Sequence, residues 1–126
     1  MPLVTTKEMF ADAYKRGYAV GAFNVDNIDA MQGVLAAATV EKSPVIIAIT
    51  EKARGYMHPA YVRQAIKAAV EENDIPIALH LDHGKSVEIC KACVDDGFTS
   101  VMIDASSYDM QKNIELTRQV VEYAHA

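Results

Sequence analysis

Residues 80–84 read His80-Leu81-Asp82-His83-Gly84, which puts two imidazoles and a carboxylate within one short run. An imidazole is a common zinc ligand, and a carboxylate beside it can act as general acid or base. Gly84 permits a tight turn and a close ligand approach. If the segment is extended, His80 and Asp82 point to one side and His83 starts the following loop. Two histidines three apart on a strand do not chelate one metal as they would on a helix. Spacing alone therefore leaves two readings open: a reactive cluster, or a hydrogen-bonded core histidine (His80) next to a loop histidine (His83).

The other reactive side chains carry less. Cys90-Lys91-Ala92-Cys93 is a single CxxC. A zinc site would want a second pair, and a redox site would want the motif where a helix starts after a strand. Here it falls inside a helical pattern, so core packing is the expectation. His58 precedes Pro59 in a loop and His125 is close to the end of the sequence, so both are expected in solvent. Lys52 and Arg54 follow Thr50 and either meet an anion at a strand edge or lie on a solvated helical turn. Neither glycine-rich phosphate motif, GxGxxG or GxxxxGK[ST], is present.

Four segments rich in branched apolar residues must position these groups: Val20–Asn24, Val45–Thr50, Ile75–Asp82 and Ser100–Asp104. They begin roughly 25 to 30 residues apart, the spacing of βα units. Helical stripes lie between them. Ile28, Met31, Leu35 and Ala38 form one; Val62, Ala65 or Ile66, and Ala69 a second; Val87, Cys90 and Val94 a third. Ile114, Thr117, Val121 and Ala124 form the last. A leading helix is predicted from Thr6 as cap to Gly17 as stop, with Met9, Phe10, Ala13 and Tyr14 on one face. The reading is α-(βα)4, an α/β chain with a parallel sheet and right-handed crossovers.

Period two splits each strand. Gly21 and Phe23, the odd residues 45–49, Ile77 with Leu79 and Leu81, and Val101 with Ile103 should face helices. The opposite face is small or polar and finishes on Asn24, Thr50, Asp82 and Asp104. Strands end in polar residues wherever loops begin. Four such ends, with His83 beside one of them, favour function, because parallel α/β folds carry their chemistry at that edge.

Composition narrows the class. The 126 residues are 51% hydrophobic and 23% charged, which suits a packed core. Twelve basic against 17 acidic residues, net −5, argue against nucleic-acid binding. No apolar run approaches the ~18–20 residues of a membrane span, and no basic segment leads into an apolar one as in a secretory signal. Two cysteines without a signal fit a cytoplasmic protein.

Six segments stand out together: MPLV at 1–4, GYAVGAFNVDN at 17–27, KSPVII at 42–47, HLDHG at 80–84, GFTSVMIDAS at 97–106 and VVEYAHA at 120–126. On these the chain resembles the class II, metal-dependent fructose-bisphosphate aldolases along its whole length. Tagatose-bisphosphate and other ketose-bisphosphate aldolases share HLDHG and GFTSVMIDAS. The resemblance implies a (β/α)8 TIM-type barrel, of which residues 1–126 supply the leading helix and the first four βα units. It implies a lyase of glycolysis and gluconeogenesis that cleaves fructose 1,6-bisphosphate to dihydroxyacetone phosphate and glyceraldehyde 3-phosphate. Asp82 matches the catalytic acid/base, His83 one of three zinc-ligating histidines, and Asp104 a carboxylate at an auxiliary metal position. Asn24 matches an active-site asparagine. Thr50 stands where the family has a substrate-contacting serine and keeps the hydroxyl. Ser107-Tyr108 stands where many members have two histidines. In the family's mechanism zinc polarises the ketose carbonyl as the C–C bond breaks, and the carboxylate takes the proton of the C4 hydroxyl. No lysine lies in a predicted strand, and only Lys52 and Lys85 follow strand ends. That favours the metal route over a lysine Schiff base.

A full barrel takes roughly 250 residues. No residue here matches the family's other two zinc histidines, and the later phosphate-binding loops are also unmatched. The expectation is an amino-terminal half, inactive alone, that associates with itself or with a carboxyl-terminal half-barrel. Two rivals belong to other classes. A receiver-type signalling domain would want an acidic pair after its first strand and a lysine after a fifth; here Phe23-Asn24 ends the first, and no fifth is predicted. A non-catalytic half-barrel that binds a partner would look the same at Asp82 and His83.

Overall fold

The computed structural model describes residues 3–126; Met1 and Pro2 of the MPLV motif lie outside the described residues. Ten elements follow in chain order: α1 (Thr6–Arg16), β1 (Gly21–Asn24), α2 (Ile28–Val40), β2 (Val45–Thr50), α3 (Glu51–Met57), α4 (Pro59–Glu72), β3 (Ile77–Gly84), α5 (Val87–Asp95), β4 (Ser100–Ile103) and α6 (Met110–Ala124). The strands form one parallel sheet in the order β1-β2-β3-β4. This is the predicted α-(βα)4 pattern, with four consecutive parallel strands in chain order. Among the described residues no helix is long and apolar enough to cross a membrane.

The predicted face split accounts for the core. Val45, Ile47, Ile49, Ile77, Leu79 and Leu81 are buried against the helices. Onto them pack Met31, Leu35 and Ala38 of α2, Val62, Ile66 and Ala69 of α4, and Val87, Cys90 and Cys93 of α5. A smaller cluster occupies the opposite face of the sheet, where Met9 of α1 covers Ile46 and Ala78. The inward face is therefore apolar at its amino end, and polar groups collect only at its carboxyl end.

Local chemistry sets the helix ends. Asn27, Thr50, Ser86 and Asp109 each accept a backbone N–H of the first turn of α2, α3, α5 and α6. Gly17 ends α1 at φ 74°, in the left-handed region that glycine enters without penalty. The second connection is two helices, because Pro59 cannot continue α3 and its ring disfavours a helical His58. His58 is exposed, has φ 65°, and caps α4 through Nδ1 to the Ala60 N–H at 3.3 Å.

Several boundaries and faces differ from expectation. Strand β3 starts at Ile77 because Pro76 precedes it, and it runs on through His83 to Gly84. β1 starts at Gly21, and β4 stops at Ile103. Thr5, not Thr6, occupies the cap position of α1, and its side chain makes no capping bond. Met9 and Ala13 of α1 are buried, but Phe10 and Tyr14 are 50% and 92% exposed, since only one side of α1 meets the sheet. In α5 it is Cys93 that completes the buried stripe, with Val94 half-buried. In α6 Val120 is buried and Leu116 packs on the core, while Ile114 and Val121 remain 44% exposed. Phe23, on the β1 edge, is 51% exposed.

Candidate active site at the carboxyl ends of the strands

The polar strand ends meet above the sheet. Register places Asn24 of β1, Ala48 of β2, His80 of β3 and Ser100 of β4 in one row, with Thr50 and Asp82 paired one step higher. Ala48 contributes only a methyl group between β1 and β3. Asn24 reaches across it and donates from Nδ2 to Asp82 Oδ2 at 2.8 Å. His80 is half-buried and shares a hydrogen bond of 2.7 Å between Nδ1 and Ser100 Oγ. Burial pushes its pKa down, with the nearby Asp82 charge working the other way. His80 is thus a satisfied core histidine, while His83 is 58% exposed at the mouth.

A bulge brings His83 to the site. Leu81 pairs with Val101 and Gly84 with Ile103, so Asp82 and His83 together oppose the single residue Met102. Strict alternation would turn His83 towards the helices. Instead it takes φ 52° and stands beside Asp82, its Nε2 3.6 Å from Asp82 Oδ1. Its Nδ1 lies 2.7 Å from Asp104 Oδ2. An ionised carboxylate only accepts, so Nδ1 carries the proton, and in the neutral ring the Nε2 lone pair faces the mouth.

Asp104 is held from both sides. Its Oδ1 accepts the Ser106 hydroxyl at 2.6 Å and the Ser106 N–H at 3.1 Å. The Ser106 hydroxyl, then His83, then the Ser106 amide pull its pKa down to about 2. In return the Asp104 hydrogen bond raises the pKa of His83, helped by the Asp82 charge. Ser106 and Ser100 were not singled out in the sequence. The Asp-x-Ser spacing at 104–106, a short Asx turn, is the signal that marks Ser106.

The remaining candidates fall outside the cluster. Thr50 pairs with Asp82 in the sheet, but its Oγ1 accepts the Ala53 N–H at 3.2 Å and caps α3. Arg54 meets an anion within the chain: it pairs with Asp96, which Arg63 also reaches at 2.5 Å. Lys52 is exposed. Cys90 and Cys93 are fully buried free thiols, and burial raises Cys93 to about 11. His125 is exposed, and Tyr108 is half-exposed in the turn after Asp104.

A metal ligand histidine typically gives its second ring N–H to a carboxylate, which fixes the ring and its tautomer. His83 and Asp104 have that arrangement, so they fit one corner of a zinc site. Among the described residues no group of three or more His, Cys, Asp or Glu side chains is placed to hold a metal, so they fit only that corner.

A parallel βα array with a carboxylate–imidazole pair at the strand carboxyl ends defines the class, a partial TIM-type barrel with the layout of an enzyme. The family follows from comparison. Residues 4–126 match the family model described as fructose-bisphosphate aldolase class-II, and the chain belongs to that family. It is 51% identical to a fructose-bisphosphate aldolase of Geobacillus stearothermophilus, over 100% of this chain and 45% of the relative. It is 48% identical to one of Staphylococcus epidermidis, over 99% and 45%. Among solved structures, the YdjI aldolase of Escherichia coli K12 superposes with a TM-score of 0.90 at 33% identity, covering 98% of this chain and 48% of that one. A structure described as a putative fructose-1,6-bisphosphate aldolase from Coccidioides immitis gives 0.85 at 32% identity, covering 93% and 46%. The chain thus spans about 45% of the length of these curated relatives.

Proposed function

We propose that residues 1–126 are the amino-terminal half of a metal-dependent aldolase that cleaves a ketose bisphosphate. Fructose 1,6-bisphosphate is the substrate, tagatose bisphosphate the alternative, and the cytoplasm and central sugar metabolism the setting. One observation carries this reading: Asp82 and His83 stand side by side at the mouth, Asp82 held by Asn24 at the end of β1 and His83 by Asp104 just past β4. Asp82 is the general base for the C4 hydroxyl during cleavage and the acid during condensation. Asn24, by donating to one Asp82 oxygen, leaves the other directed to substrate. His83 would offer Nε2 as one zinc ligand, with Asp104 behind it, and Asp104 would by the same resemblance serve an auxiliary metal. When bound, zinc supplies Lewis-acid polarisation of the ketose carbonyl. Thr50 sits next to Asp82 in register, and to meet substrate its hydroxyl would have to do so while it caps α3.

One histidine does not meet the three protein ligands of a catalytic zinc, so the remaining ligands come from a second half-barrel. The chain by itself is expected to hold little zinc and to show no aldol cleavage. Co-expressed with the later half of the Geobacillus relative, it should give a zinc-containing complex that cleaves fructose 1,6-bisphosphate. In that complex Asp82→Ala should lower kcat by ~10²–10⁴-fold. A loss of only a few-fold would favour a binding module, and stoichiometric zinc with turnover by the chain alone would refute the half-barrel reading.

A further inference from the structure

Gly84 sits where the site cluster, the sheet edge and the core meet. A Cβ at this position would lie 2.8 Å from Leu81 Cδ2, 2.9 Å from Cys90 Sγ and 3.0 Å from the carbonyl oxygen of Met102. Two of these belong to the packed core and the third is β4 backbone, so no single rotamer change makes room. The φ of Gly84 is not in the left-handed region, so the demand is for space and not for backbone freedom. The close approach lets the Gly84 carbonyl accept the Asp104 N–H at 2.7 Å. Asp104 in turn holds His83 Nδ1. A short chain of contacts thus runs from Cys90 in α5, through Gly84 and the β4 backbone, to the imidazole at the mouth.

We propose that Gly84 and Cys90 are positioning residues: the bare Cα of Gly84, seated on the Cys90 sulfur, closes the β3 bulge against β4 and so sets Asp104 against His83. This assigns work to one half of the CxxC pair. Cys90 forms the seat, and Cys93, equally buried and one turn on, is core alone. The cluster's importance rests on the aldolase reading, but the contact chain can be measured without turnover. Neither residue touches substrate or metal; they act through Asp104.

The test uses ¹⁵N-labelled chain and two signals: hydrogen exchange at the Asp104 amide, and the proton on His83 Nδ1. Gly84→Ala should speed Asp104 exchange at least tenfold and abolish the Nδ1 proton signal. Gly55→Ala, at an exposed helical glycine whose Cβ would meet nothing within 4 Å, should leave both unchanged. A folded Gly84→Ala chain that keeps both signals overturns the proposal. If Gly84→Ala does not fold, Cys90→Val and Cys93→Val decide. Both add the same bulk to the same buried face, so a purely structural role predicts equal effects on the two signals. The proposal requires Cys90→Val to speed Asp104 exchange several-fold while Cys93→Val leaves it at the wild-type rate. Equal effects overturn it. Aldolase activity enters neither arm, so a failure of the functional reading would be seen separately.

Discussion

Asn24 does its work on Asp82 without adding charge. Its amide donates at 2.8 Å to the carboxylate that the proposed aldolase reading makes the base. A hydrogen bond to a charged group contributes about 1.5–3 kcal/mol, and about 1.4 kcal/mol is tenfold in rate. If the bond matters mainly when Asp82 is ionised, Asn24→Ala in the assembled barrel should lower kcat by roughly 10- to 100-fold. Asn24→Asp is isosteric but sets a second carboxylate against the first, which pushes the pair's protonation upwards. It should therefore lose more activity than Asn24→Ala at neutral pH and recover part of it as pH rises. Steady-state pH profiles of both variants check this. The thiols give a prediction for the chain alone. Burial raises the pKa of Cys93 from 9.0 to about 11 and pushes Cys90 the same way. Between those two values the unfolded chain has lost a proton that the folded chain still holds, so stability falls as pH rises. The urea midpoint should be flat below pH 9 with respect to these groups and drop between about pH 9 and 11. Cys93→Ala should flatten that drop, and neither thiol should react with a thiol reagent at pH 8 before the chain unfolds.

Asp96 ties together helices that no sheet bond connects. It follows α5 directly and accepts Arg54 from α3 and Arg63 from α4. The Arg54 and Asp96 side chains are 16% and 17% exposed, whereas Arg63 is 46% exposed. Asp96→Ala would leave a mostly buried guanidinium, whose Nε already lacks a partner, without its carboxylate. The expected loss is about 2–3 kcal/mol by urea unfolding, while Arg63→Ala should cost less than about 1 kcal/mol. Equal losses would show that exposure does not rank these pairs. This clasp also marks a boundary of what sequence reveals. The four strands, the buried faces of β2 and β3 and the stripes of α2 and α4 are legible because period two and period 3.6 record burial directly. Asp82, His83, Asp104 and Asn24 were legible as polar ends of those strands. The Arg54–Asp96 pair joins residues 42 apart and leaves no local pattern. The bulge that swings His83 beside Asp82 is set by the fit of Gly84 against Cys90 and β4, which alternation along one strand does not contain. Phe23 and the outer stripe of α6 read correctly as apolar but are half-exposed, because hydropathy records what a face needs and not whether a neighbour is present.

That last discrepancy bears on the molecule as a whole. Among the described residues β1 pairs only with β2 and β4 only with β3, so both ends of the sheet present unpaired backbone. Each open edge is also apolar. Beside β1, Gly21, Phe23, Gly33, Val34, Ala37 and Pro44 line a groove of about 410 Å³. Beside β4, Ile114 and Val121 of α6 stand 44% exposed. In a closed eight-stranded barrel neither edge would exist. Exposed strand edges with adjoining apolar surface drive pairing with another chain. We expect the 126-residue chain to associate at micromolar concentration when it is alone and to stay discrete when a carboxyl-terminal half-barrel is supplied. Light scattering on a sizing column distinguishes these states. Replacing Ile114 and Val121 by lysine places charge on the α6 edge without touching the buried Val120. It should shift the chain towards monomer and also weaken capture of the second half, because both partners use the same edge. A monodisperse wild-type monomer at tens of micromolar would mean that the half-barrel covers its own edges, and the association prediction would be wrong.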